Sequence, residues 1–210
     1  MKVARIDELE TVPIVDGTIS WRPIRRTLGI EAFGVNAYTA DAGHDIVEEH
    51  DETGSGAGGH EELYVVVSGH AVFTVDGKEV DAPAGTLVFL DDPAERRAAR
   101  ATADGTTVLA IGGARGKAFS VSPWEYYMYG TGVLERDPEA ARKSLEEGIE
   151  RFPQHGGMAY NYACVLALTG ARDAALEQLE RALALRPQLA DLARTDSDLD
   201  TLRDDPRFPA

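Results

Sequence analysis

The hydrophobic period of this 210-residue chain changes once, near residue 120, and that change bounds what it can fold into. Upstream lie short runs punctuated by Gly, Pro and Asp: "EAFGVNAYTA", "HDIVEEHDE", "EELYVVVSG", "HAVFTVDG", "KEVDAPAG", "TLVFL" and "TTVLAIGG". Many short strands at this spacing predict a β-sandwich or barrel. Asp76-Gly77, between "AVFTV" and "KEV", predicts a tight hairpin, because a primed two-residue turn needs positive φ. Downstream the period is helical. Asp137 is placed to cap a helix whose first residue is Pro138, where a missing N–H costs nothing, and Pro153 stops it. "GMAYNYACVLALTG" predicts a second helix ended by Gly170, and "ARDAALEQLERALALRP" a third ended before Pro187. The expected fold class is therefore α+β, with a β unit over residues 1–120 and a helical unit over 121–210.

Charge narrows the partners. The formal net charge is -15, and both halves are acidic, so no basic stripe exists to release counterions from nucleic acid. "WRPIRR", residues 21 to 26, is a small basic cluster in an acidic domain and is expected to pair locally. A single cysteine, Cys164, rules out a disulfide or a Cys-based zinc knuckle within one chain. "MKVARIDELE" has no apolar signal core, and no apolar run approaches the ~18 residues of a membrane span. The expectation is a soluble cytoplasmic protein that binds neither nucleic acid nor membrane. "TGSGAGG", residues 53 to 59, lacks the Lys-Ser/Thr of a phosphate-binding P-loop and precedes no helix. No nucleophile elbow or Cys/His arrangement occurs in the β half.

The stretch "HEELYVVVSGHAVFTVDGKEVDAPAGTLVFL" resembles the cupin family, a small antiparallel jelly-roll β-barrel, and the resemblance spans roughly residues 30–113. Glu62 and Gly69 match the second half of the family's first motif. The resemblance implies a divalent metal held by three His and one Glu, and here the chain departs from it. Counting back from Glu62 puts the motif histidines at Ala57 or Gly58 and at Ser55 or Gly56. If "TGSGAGG" is instead an insertion, His50 takes the first place. Strand parity puts Glu48, His50 and Glu52 on one face, and His60, Glu62, Tyr64 and Val66 on one face of the next strand. His50, His60 and Glu62 then form a candidate two-His, one-carboxylate set suited to iron, manganese, nickel or zinc.

The second motif should supply a third histidine. Anchored on "PAG" its position is Val88; anchored on "DDPAERRAAR" it is Arg96, the preferred placement. The five histidines are His44, His50, His60, His70 and His155, so none lies between 71 and 154 and that ligand is absent. An arginine cannot ligate a metal, but it can clamp a carboxylate or phosphate. Arg96 or Arg97 thus points to an anionic ligand, or to an internal pair with Glu62 or Glu52. Tyr64 on the Glu62 face fills the barrel or hydrogen-bonds a ligand.

Residues 156–189 resemble one tetratricopeptide repeat: Pro153 and Pro187 stand 34 residues apart, and Ala163, Gly170, Ala175 and Ala182 take the small-residue positions. The preceding helix resembles the back half of another repeat, while "SPWEYYMYGTGV" departs from the pattern. So short an array cannot bury its apolar face alone, which predicts packing or partner binding.

Three functions follow. One is a degenerate cupin binding a small anionic molecule through Arg96, Arg97, Tyr64 and Glu52. Another is a metal-dependent cupin enzyme (oxygenase, isomerase or lyase) using His50, His60 and Glu62. The third is a purely interacting protein that works through its helical repeats, a reading that the shortness of the array weakens. The cupin resemblance also implies a homodimer.

Overall fold

The structure, a computed structural model, describes residues 1–53 and 57–209. Ser55 and Gly56, two of the motif positions considered above, lie outside the described residues. The chain forms two compact units, Met1–Ser122 and Pro123–Ala210.

The first unit is built from ten strands among the described residues. They are β1 (Val12–Ile14), β2 (Ile19–Arg22), β3 (Gly34–Ala40), β4 (Asp45–His50), β5 (Glu61–Ser68), β6 (His70–Val75), β7 (Lys78–Pro83), β8 (Leu87–Leu90), β9 (Arg97–Ala101) and β10 (Thr106–Gly113). They make a six-stranded sheet ordered β1-β2-β3-β10-β5-β8 and a four-stranded sheet ordered β4-β9-β6-β7. Every pairing is antiparallel. The order β3-β10-β5-β8 against β4-β9-β6-β7 is the strand order of a jelly roll. Two sheets, rather than a closed barrel, are the description these pairings give.

One core joins the sheets: Tyr64, Val66, Val88, Leu90 and Val108 from the larger meet Ile46, Val47, Phe73, Ala99 and Ala101 from the smaller. On the outer face of the larger sheet, helix α1 (Ile24–Leu28) and the N-terminal segment supply Ile24, Ile6, Leu9 and Leu28 over Val35 and Ala37. The β6–β7 hairpin turns at Asp76 and Gly77, whose φ values are 47° and 77°, with Val75 opposite Lys78. That is the positive-φ turn the dipeptide demands.

Two features depart from simple strand reading. In β4 the register against β9 passes from Asp45↔Arg100 to Val47↔Ala99 and on to His50↔Arg97, two residues against one and then three against two, so each step carries one extra residue. Such a bulge re-aims the side chains beyond it. Ile46 and Val47 are both buried and Glu48 is exposed, so Glu48 does not share the face of His50 as alternation predicts. β9 is the second. Its sequence, "RAARA", carries no β-branched residue, yet it is a central strand whose Arg97, Ala99 and Ala101 point inward.

The second unit is helical: α2 (Pro123–Val133), α3 (Pro138–Arg151), α4 (Gly156–Leu168), α5 (Arg172–Leu185) and α6 (Leu189–Ala193). Asp137 caps α3 by accepting from Ala140 N–H at 3.0 Å, and Pro138 follows it. His155 caps α4 through Nδ1, which accepts from Met158 N–H at 2.9 Å. Ala141, Ala163, Ala175 and Ala182 are buried where successive helices meet. "SPWEYYMYGTGV", which fits no repeat pattern, forms α2 all the same. Among the described residues no helix is long and apolar enough to cross a membrane.

Candidate functional site

The inward faces of the two sheets bring five titratable side chains together. Glu62 and Tyr64 come from β5, two residues apart and therefore on one face. His50 ends β4 and stands opposite Arg97 of β9 across the smaller sheet. Glu52 follows β4, held by its own N–H to the Pro93 carbonyl at 2.8 Å.

Glu62 is the hub. Its Oε2 accepts the Tyr64 hydroxyl at 2.6 Å, and lies 3.4 Å from Arg97 Nε and 3.7 Å from His50 Nε2. The His50 ring is set by its other nitrogen: Nδ1 is 2.7 Å from the Glu48 carbonyl, so that nitrogen carries the proton and Nε2 faces the carboxylates. Glu52 completes the group, with Oε1 3.9 Å from His50 Nε2 and Oε2 accepting Gly58 N–H at 3.1 Å. His60 sits to one side, Nδ1 3.6 Å from Glu52 Oε2 and its ring against Phe119 at 5.7 Å. A Cβ at Gly58 would fall 1.9 Å from His60 Nε2, so a side chain there would displace that ring.

Electrostatics follow the geometry. Burial opposes ionisation of Glu62, but His50, the Tyr64 hydroxyl and the Arg97 charge outweigh it and hold its pKa below the usual glutamate value. Burial likewise opposes protonation of His50, yet Glu62 and the Glu48 carbonyl leave its pKa raised. Burial and the Glu62 charge push the Tyr64 phenol well above its ordinary value, so it stays a hydrogen-bond donor.

Arg97 is the outlier. Its side chain is 0 % exposed. Nη1 donates to the Glu95 carbonyl at 2.8 Å, while Nε and Nη2 have no hydrogen-bond partner among the described residues. The neighbouring arginine does something else: Arg96 is 61 % exposed and donates from Nε to Glu49 at 2.6 Å, away from the group.

No family model matches the chain, and no curated protein matches it. Solved structures do. One is a cupin protein from Bacteroides fragilis, 21% identical over 58% of this chain and 87% of that one, with a TM-score of 0.41. A second is an RmlC-like cupin from Desulfovibrio desulfuricans, 24% identical over 54% and 96%, TM-score 0.42. A third is a sugar phosphate isomerase from a cupin superfamily, from Silicibacter pomeroyi, 17% identical over 53% and 75%, TM-score 0.44.

The donors can be tested against the metal that a cupin implies. His50, Glu52 and Glu62 each offer one ligand atom, all within 4.8 Å of one another, so the spacing would suit an ion. Glu52 thus stands where sequence reading put His60, which falls outside that group. The charge does not suit one. The same Glu62 oxygen already accepts the Tyr64 hydroxyl's hydrogen bond and faces a buried, permanently charged guanidinium. The residues present do not fit a divalent metal.

Arg97 could have been distinguished from Arg96 by one weak signal. In "RRAARA" the alternation Arg97, Ala99, Ala101 places small residues on one face and Arg96 and Arg100 on the other. The Gly58 N–H and the Glu95 carbonyl are backbone groups that no sequence pattern announces.

Proposed function

We propose that the first unit is a cupin-type domain that binds one small anionic molecule between its sheets, anchored on Arg97. The observation that carries this reading is the fully buried guanidinium whose Nε and Nη2 make no hydrogen bond among the described residues, Nε facing Glu62 Oε2 only at ion-pair distance, 3.4 Å. Those two nitrogens form one edge of the guanidinium fork, the geometry that takes a carboxylate or phosphate in two parallel hydrogen bonds. Leaving a buried donor such as Nη2 unmet costs about 1–3 kcal/mol, which a ligand returns on binding. Around that edge, Glu62 and Glu52 are acceptors and Tyr64 a donor already committed to Glu62. A ligand that suits them carries an acidic group for Arg97 and hydroxyls for the carboxylates, and its charge is offset when His50, whose pKa is raised beside Glu62, is protonated.

The test is a thermal-shift titration of the whole chain with glycolate, malonate and inorganic phosphate. Saturable stabilisation by at least one of them, weakened at least about tenfold in Arg97→Lys, is expected, because a point charge lacks the fork. Equal response of the wild type and Arg97→Lys, or none in the wild type, contradicts the proposal.

A second reading, a metal-dependent enzyme, has only the spacing of His50, Glu52 and Glu62 in its favour and the Arg97 charge against it. Metal analysis of untagged protein purified without chelator separates it from the first. For the second unit, α4 and α5 are read as a tetratricopeptide-type pair offering a packing or partner surface. Buried Ala163, Ala175 and Ala182 and the 34-residue spacing of Pro153 and Pro187 support this.

A further inference from the structure

We infer that Arg97 acts as a built-in counter-cation that keeps divalent metal out of the His50–Glu52–Glu62 group, and that the chain is one substitution from a metal site. The inference concerns the same pocket as the anion proposal, but stands or falls on metal uptake rather than on anion binding.

Three observations carry it. The donors are already gathered: His50 Nε2 lies 3.7 Å from Glu62 Oε2 and 3.9 Å from Glu52 Oε1. Ligands on a zinc ion at ~2.0–2.2 Å stand about 3–3.6 Å apart, so small side-chain adjustments would close the group on an ion. The His50 tautomer is also correct, since Nδ1 is tied to the Glu48 carbonyl and Nε2 is left to coordinate. What opposes a metal is the charge beside it. Arg97 Nε is 3.4 Å from the Glu62 oxygen that would have to ligate, so an ion there would sit within about 5 Å of a full positive charge in a partly buried site.

The guanidinium cannot give way. It does not deprotonate. Its side chain is fully buried, Nη1 is tethered to the Glu95 carbonyl, and its Cα is fixed opposite His50 by the β4–β9 register. Two carboxylates and one guanidinium leave the group at -1 with His50 neutral, and a divalent ion would turn that into a +1 in a partly buried site. Removing the guanidinium leaves -2, which an ion neutralises. The charge balance therefore changes sign at one residue.

The experiment uses the full chain, stripped with chelator and desalted, then titrated with zinc and manganese by calorimetry, with elemental analysis after gel filtration. The uptake counted is that abolished by Glu62→Gln, which sets aside ions held at the exposed His70–Asp81 pair. The wild type is expected to take up none. Arg97→Gln is expected to bind one equivalent, at metal concentrations about a hundredfold below the highest at which the wild type still takes up none. Arg97→Lys, which keeps the charge, is expected to remain metal-free. Arg97→His carries the same expectation as Arg97→Gln should the latter not fold. A wild-type equivalent removed by Glu62→Gln overturns the inference. So does refusal of metal by a folded Arg97→Gln or Arg97→His, or uptake by Arg97→Lys equal to theirs.

Discussion

At the scale of residues, Glu62 and His50 link the site to the stability of the fold. The His50 pKa is raised in the folded protein, so its contribution is full below its unfolded value near 6.5. It is lost as pH rises through the raised folded value. The Glu62 pKa is lowered, so its contribution is present above its unfolded value near 4.5 and lost as pH falls through the lowered folded value. Between those limits both ions hold each other. The gap in thermal midpoint between wild type and His50→Gln should therefore be wider at about pH 5.5 than at about pH 8. A gap that is equal at the two pH values, or wider at the higher one, contradicts the pairing. Glu62 and Tyr64 could be placed on one face from sequence because they stand two residues apart in β5, ahead of its register irregularity between Val66 and Ser68. Glu52 and His60 could not be ranked, because both belong to a connection whose course no periodicity fixes. Arg97 differs from Arg96 by a single step of parity on a strand that composition hides.

At the scale of elements, local chemistry that acts through the backbone was legible and chemistry that acts through packing was not. Asp76-Gly77 and Asp137-Pro138 each satisfy a backbone requirement within a few residues, and both fold as that requirement dictates. Asp137→Ala removes the acceptor of the Ala140 N–H, and should destabilise the second unit by about 1 kcal/mol in urea unfolding. No change would mean that water replaces the cap in full. The β4 bulge is the opposite case. It depends on the partner strand β9, whose buried Ala99 and Ala101 leave room for the bulky Ile46 and Phe73 of the same core. Strand β9 was invisible because its small residues are chosen for that space rather than for β propensity. β1, β2 and α1 were missed for a similar reason. They complete the larger sheet and cover its outer face through Ile24 and Leu28, long-range contacts that a local window cannot see.

At the scale of the whole molecule, a net charge of -15 works against any anionic ligand at a distance, since the chain repels it before contact. Arg97 answers that repulsion locally, inside the sheets, where screening by salt is weak and a buried charge acts over short range. Ligand affinity is accordingly best measured at about 0.15 M salt, where the outer field fades within about 8 Å. The two units each hold a core of their own, one between the sheets and one along the helices, with the titratable group wholly inside the first. The Arg97 edge that lacks hydrogen bonds receives the acid in the proposed complex, and the Arg97 Nε–H signal in nitrogen-resolved NMR reports on that edge directly. Titration of the full chain with glycolate should move that signal saturably, and Arg97→Lys should identify it by its loss. A saturating ligand that leaves the Arg97 Nε–H signal unmoved while shifting resonances elsewhere would contradict the account.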